Sequence, residues 1–515
     1  MSLTRRRLLQ TVSSAAALGL VDWSPLRSLV AEDQPALAAD GIRYSSEIEP
    51  LVRLIEETPR EKCPEVLAEN LKSGLAYREF LSAIFLAAIR KQNSHHSVYL
   101  VHSAHQTSLD LPREESLLPL FWAVDHYKWQ QLAAPTPPLG PLAGALPAAD
   151  KAGADLHDAM KRLDMDRAER AIVALARTEG PQQTMELLWR YGCRDCGMIG
   201  HRAISLASCW RVLESIGWQH AEPVLRFVVR DLMGEDRYYK INVARAEAQW
   251  EKLPFAWATG NGDTGATREL FALMRQGKSE EASDLAGKQL VAGVGGQAIW
   301  DAVHVISAEM LILHPGESGM GGRALHINTA ANALRYAFRT TASSQTRLLI
   351  LLQAVAWMGD FVREQLGVNN LAETKPIDLA GSTATGSALE VIADVFSSLP
   401  PHAYIYDYKT RQGVGHHLPN KAARTEPARK IFALLTDNPD AAAPYAQAAR
   451  SWLCMKASVD AHEFKLPVAL FEDYEIVSSA WSPRLLAAST HWLHGKQSED
   501  SLVIQQARDA LGIKR

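Results

Sequence analysis

The stretch DRAERAIVALARTEG, Asp166–Gly180, decides the fold class. Ala168, Ala171, Ile172, Leu175 and Ala176 recur at i, i+3, i+4, i+7 and i+8, which winds them onto one stripe of an α-helix and leaves the charged residues on the other. Gly180-Pro181 then ends the run, because glycine closes a helix and proline cannot continue it. The same period fills 48–90, 182–191, 201–216, 265–276, 279–292, 297–313, 326–340, 344–366, 384–397, 427–435, 441–466 and 483–494. Strand-like alternation is nearly absent. The expected class is all-α, a helical bundle or array.

Two stretches break the pattern. LAAPTPPLGPLAGALPAAD, Leu132–Asp150, reads as a Pro/Gly/Ala linker between an N-terminal helical unit, 45–131, and a main helical domain, 151–515. Within that domain 367–427 is an irregular insertion, long enough to act as a lid or binding element, with Tyr404, Tyr406 and Tyr408 forming either a short strand or a channel wall.

At 515 residues with 47% hydrophobic content, the chain can bury a large core without covalent staples. Its net charge of −4, with both signs dispersed, argues against nucleic acid as a partner. Thr4-Arg5-Arg6-Arg7-Leu8-Leu9-Gln10, followed by a weakly apolar run to Val21, matches a twin-arginine export signal, with Ala36-Leu37-Ala38 as a cleavage point and residues 1–38 as the signal peptide; cleavage at Leu29-Val30-Ala31 and an uncleaved anchor are the alternatives. The run is too short for a stable membrane span. The expectation is a periplasmic or otherwise extracytoplasmic protein that meets the twin-arginine translocase during export. That route carries folded proteins, often with a cofactor already loaded.

Five cysteines give no disulfide framework. Cys193-Arg194-Asp195-Cys196 is a lone C-x-x-C, half of a zinc site or a redox pair at most.

The chain also resembles itself. LKSGLAYREFLSAIFLAA (71–88) matches LVAGVGGQAIWDAVHVIS (290–307) without a gap, setting Leu71 on Leu290, Gly74 on Gly293 and Ala83 on Ala302. LARTEGPQQTMELLWRYG (175–192) aligns more weakly with the same segment. Each copy leads to a loop and a helix opening with histidine: His102 and His105, then His201, then His326, with His462 in a degenerate fourth unit. The unit is helix, turn, helix, loop, His-helix. One histidine on an apolar helix is ordinary core filling. Recurrence at one place in related units lets the imidazoles face a shared interior, and neutral imidazole nitrogens are ligands for Fe, Zn and Cu. The candidate metal ligands on this reading are His102 or His105, with His201, His326 and His462.

Other groups could serve such a centre. His220 and Glu222 lie just ahead of Pro223; His220 could handle a proton, while Glu222 fits a helix cap. Glu309 is a carboxylate in an apolar run and needs an arginine, a metal or water as partner. Lys465 falls on nearly the same helix face as His462 and could bind an anion or a carbonyl oxygen. His95-His96 and His416-His417 read as loop pairs, and His491 and His494 as structural residues near a helix C-terminus. No catalytic serine elbow, nucleotide loop, H-E-x-x-H or haem-attachment motif occurs.

From IEPLVRLIEETPREK through GHRAISLASCWRVLESIGWQHAEPVLR, ALHINTAANALRYAFRTT and DAHEFKLPVALFEDYE, nearly the whole chain resembles a family of uncharacterised, twin-arginine-exported all-helical proteins. More distantly, the helix-start histidines, the H-x-x-T-x-x-N-A-L of His326–Leu334 and the A-H-x-x-K of Ala461–Lys465 look like the questin oxidase-like family. That likeness implies Baeyer–Villiger-type oxidative ring opening without a flavin motif, and points to His105, His201, His326 and His462. The combined expectation is a His-lined, metal-dependent oxygenase using a transition metal, foremost Fe, or haem, and acting on a small apolar organic substrate, with Glu309, His220 or Lys465 as catalytic groups. A non-enzymatic helical-repeat scaffold with structural histidines is the alternative, and cofactor-free His/Glu chemistry a third reading.

Overall fold

Asp164 caps the helix Met165–Thr178 by accepting a hydrogen bond from the Arg167 amide, and Ala168, Ala171, Ile172, Leu175 and Ala176 are all buried along it. The computed structural model describes residues 42–91, 95–133, 138–194, 199–234, 238–260, 262–313, 321–369, 376–382, 385–401, 403–404, 416–417, 421–457 and 460–514. Over these residues the protein is all-α, with 22 α-helices, and the only strands described are a two-residue antiparallel pair, Ala403–Tyr404 with His416–His417. None of the described helices is long and apolar enough to cross a membrane. The expected export motif and cleavage point, and Cys196, Tyr406 and Tyr408, lie outside the described residues.

Two of the expected helical runs are broken. The 48–90 run is three helices, Glu49–Glu57, Cys63–Lys72 and Tyr77–Lys91, separated by Pro59 and by the left-handed turn at Gly74 (φ 110°). The 441–466 run ends at Lys456, and a new helix, His462–Tyr474, begins after Asp460, whose carboxylate accepts the His462 amide. The irregular region contains the helix Ala388–Ser398, fixed by a capping box between Ser387 and Glu390.

The 132–150 stretch does not separate two cores. Leu139 is buried, donates its amide to Arg90 O and accepts from Ile42 N, and one hydrophobic core contains side chains from Ile42 to Ala507. Trp122, Trp189, Trp300, Trp357 and Trp492 are fully buried. Truncating any one of them to alanine would cost about 3–5 kcal/mol, so the interior is filled by large rings rather than left as a groove.

Four helices form the centre of the molecule: His95–Asp110, His201–Ile216, Gly321–Thr340 and His462–Tyr474. Each packs against two of the others, closing a ring. They run parallel, because early residues meet early residues and late meet late: His201 faces His326 and Tyr336 bonds Glu214, while His96 faces His201 and His105 bonds Ser215. Each follows another helix in the chain, respectively Tyr77–Lys91, Pro181–Gly192, Gly296–Leu313 and Ala442–Lys456.

Candidate metal centre

Parallel packing brings the first turns of three helices and the second turn of Gly321–Thr340 to one place, and each contributes a histidine: His96, His201, His326 and His462. His201 and His462 are the first residues of their helices and His96 the second. His326 Nε2 lies 2.8 Å from His201 Nε2 and 3.3 Å from His462 Nε2. One ring nitrogen each from His96, His201 and His326 fall within 4.8 Å of one another. The His96 ring sits edge-on to His462, with centroids 4.8 Å apart.

Backbone geometry sets the closest contact. Gly200 has φ 82°, and a Cβ there would stand 2.4 Å from Ala330 Cβ, so only glycine lets the start of the His201 helix approach the His326 helix this closely. Ile199 beside it is also left-handed, at φ 50°, a cost of roughly 1–2 kcal/mol that the surrounding packing must hold.

Protonation follows from the partners. Asp460 Oδ1 lies 2.8 Å from His462 Nδ1, and a carboxylate only accepts, so that nitrogen carries the proton and the Nε2 lone pair points to the centre. His326 Nε2 thus faces the Nε2 atoms of both His201 and His462. One proton can bridge only one of those two contacts, whereas a cation held between the nitrogens would satisfy both. Metal–nitrogen bonds of about 2.1 Å place adjacent ligand nitrogens about 3.0–3.4 Å apart, close to the 2.8 and 3.3 Å observed.

Burial disfavours the charged form of two of the rings. Burial, then Lys465 and His462, hold His201 down to about 3, and burial with the same neighbours holds His96 well below the ordinary histidine range. Lys465 is buried, with Nζ 3.4 Å from His96 Nδ1 and 5.4 Å from the Tyr99 ring centroid; burial brings it down to about 7. The Tyr99 hydroxyl bonds Asp231, and His95 Nδ1 lies 2.9 Å from the other oxygen of that carboxylate. His95 is 54% exposed and marks the solvent side of the centre. The hydrogen bond to Asp231 raises its affinity for a proton.

Deeper along the axis lies a second polar layer, again one residue per helix. Arg211 Nη1 donates to His102 Nε2 (2.9 Å), Asn332 Oδ1 (3.3 Å) and Glu472 Oε2 (3.0 Å). Burial alone would raise Glu472, but Arg211 and His102 bring it down to about 2. Between the two layers is a cavity of about 20 Å³, room for about one water, lined by Tyr99, His102, Ser208, Thr329 and Lys465 among others.

Three of the four histidines expected as ligands, His201, His326 and His462, meet here, together with Lys465. His105 does not. Its helix begins at His95 rather than His102, so His105 lies more than two turns along, between Tyr77 Oη (2.9 Å from Nδ1) and Ser215 Oγ (3.2 Å from Nε2). His96, read from sequence as a loop residue, takes its place. The signal available was position relative to the helix start, which Val98–Val101 obscures by being buried on every side.

His220 lies apart, in a short 3-10 turn, held to about 4 by burial and by Arg78. Glu222 pairs with Arg177 at 2.8 Å. Glu309 is fully buried, 3.0 Å from Arg275 Nε and bonded by the Ile377 amide, so its charge is matched away from the histidines. Cys193 is buried, donates to Arg190 O, and is pushed up to about 12 by burial, which is unsuited to a thiolate ligand. His494 Nε2 lies 3.4 Å from the buried Glu463.

No family model, curated protein or solved structure matches the chain.

Proposed function

We propose that the protein is an exported, metal-dependent oxidoreductase of oxygenase type acting on a small apolar organic substrate, with His96, His201, His326 and His462 holding one transition-metal ion. The observation that carries this reading is the convergence of four imidazoles, one from each of four parallel helices: nitrogens of His96, His201 and His326 lie within 4.8 Å of one another, and His462 Nε2 lies 3.3 Å from His326 Nε2. The spacing suits a single ion. An iron or copper ion there would supply the one-electron chemistry that molecular oxygen requires. The twin-arginine motif at Thr4–Gln10 supports loading of the ion before translocation.

The chain's own groups have distinct tasks. Asp460 orients His462 through Nδ1. Lys465, brought down to about 7 beside His96, holds a proton that it can give or take near neutral pH. Because the axial cavity admits about one water, the substrate meets the centre from the His95 side.

A second reading has its own support: Lys465 against His96 in a neutral imidazole cluster is also an acid–base site that works without a metal. Elemental mass spectrometry and an absorption spectrum of the folded, exported protein separate the two. Near-stoichiometric metal, lost in His326→Ala, supports the metal enzyme; full retention in that variant removes His326 as a ligand. A metal-free, colourless wild type favours acid–base chemistry.

A further inference from the structure

Lys465 poses a charge problem that the imidazoles do not solve. It is 4% exposed, and among the described residues no carboxylate lies within ion-pair distance of Nζ; its close neighbours are the His96 ring and the face of Tyr99. Keeping that ammonium charged without a counter-ion costs several kcal/mol, so an anion placed against it is stabilised and in turn favours the protonated lysine. The two nearby carboxylates are engaged elsewhere, Asp460 on His462 and Asp231 on Tyr99 and His95.

The surroundings add to the imbalance. All four histidines are neutral when they act as ligands, so a divalent ion would keep its full charge. The starts of the His95, His201 and His462 helices converge on the same spot, each bringing about half a positive charge. Two carboxylates cannot balance a divalent ion, Lys465 and these helix ends together.

We propose that the centre takes an anionic ligand, a carboxylate or deprotonated hydroxyl carried on an apolar organic body, and that Lys465 is the side chain that pairs with it. This deepens the functional reading above by naming the charge of the substrate. Neutral apolar compounds of the same shape are then poor ligands, and Lys465 is a specificity determinant at the edge of the centre.

The test uses benzoate and its neutral counterpart benzamide, titrated calorimetrically at pH 7 into the full mature chain, both metal-free and loaded with cobalt(II). Wild type should bind benzoate at least tenfold more tightly than benzamide, and Lys465→Met should erase that difference. Methionine removes a buried charge without emptying the space, so the variant should melt no lower than wild type. Equal affinity for the two probes, or an unchanged benzoate preference in Lys465→Met, overturns the proposal. If cobalt does not bind wild type at all, the metal reading fails, and the benzoate preference of the metal-free protein then decides the anion proposal by itself.

Discussion

His201 Nε2 and His326 Nε2 are 2.8 Å apart because Gly200, left-handed and without a Cβ, lets the two helices touch at Ala330. Gly200→Ala should therefore damage the centre as well as the fold. Left-handed strain and the clash with Ala330 together should cost about 2–4 kcal/mol. Separating the two rings should also weaken metal binding in whatever fraction remains folded. Thermal melts with and without added metal check both effects; a metal-induced gain in melting temperature as large as in wild type would refute the positional role of Gly200.

Asp460 touches His462 twice, through the backbone amide and through Nδ1, both at 2.8 Å. Removing such a carboxylate behind a metal-bound imidazole typically lowers affinity ten- to a hundredfold. Asp460→Ala should fall in that range. Asp460→Asn keeps an acceptor but not the charge, and should lie between Ala and wild type. Competition with a chromophoric chelator gives the affinities, and equal values for all three proteins would exclude Asp460 from the centre.

These contacts show which parts of the molecule the sequence could reveal. The helical class was legible at Ala168–Ala176 because an amphipathic stripe is a local property. Glu169 in the same stretch looks like part of the charged side, yet it is buried and paired with Arg226 and Arg230, which lie far along the chain. His201, His326 and His462 were legible as histidines at or near helix starts. His96 was not, because residues 97–104 are buried throughout and offer no polar face from which to phase the helix. The parallel ring that makes the four histidines converge is a matter of long-range packing.

Glu309, read from sequence either as a catalytic group or as the partner of an arginine, pairs with Arg275. Breaking a buried pair leaves one charge uncompensated, at a cost of roughly 3–5 kcal/mol. Arg275→Ala should lose about that much stability by urea denaturation while the metal content per folded molecule stays at the wild-type level. Loss of metal without loss of stability would restore Glu309 to the candidate site.

His105 gives the protein a pH dependence separate from the proposed metal centre. Burial, and to a smaller extent His102, hold it down to about 4 in the folded chain, against 6.5 for an unperturbed histidine. The unfolded chain therefore binds a proton between pH 6.5 and pH 4 that the folded chain refuses, so stability is full above 6.5 and falls as the pH drops towards 4. The contribution is on the order of 2–3 kcal/mol across that window. His105→Gln keeps polar atoms facing Tyr77 and Ser215 but does not titrate, so the slope of unfolding free energy against pH should be shallower by up to about one proton. Urea denaturation of the metal-free protein at intervals from pH 7 to pH 4.5 measures that slope. Superimposable curves for variant and wild type would show that the imidazole between Tyr77 and Ser215 takes up its proton as readily in the folded chain as in the unfolded one.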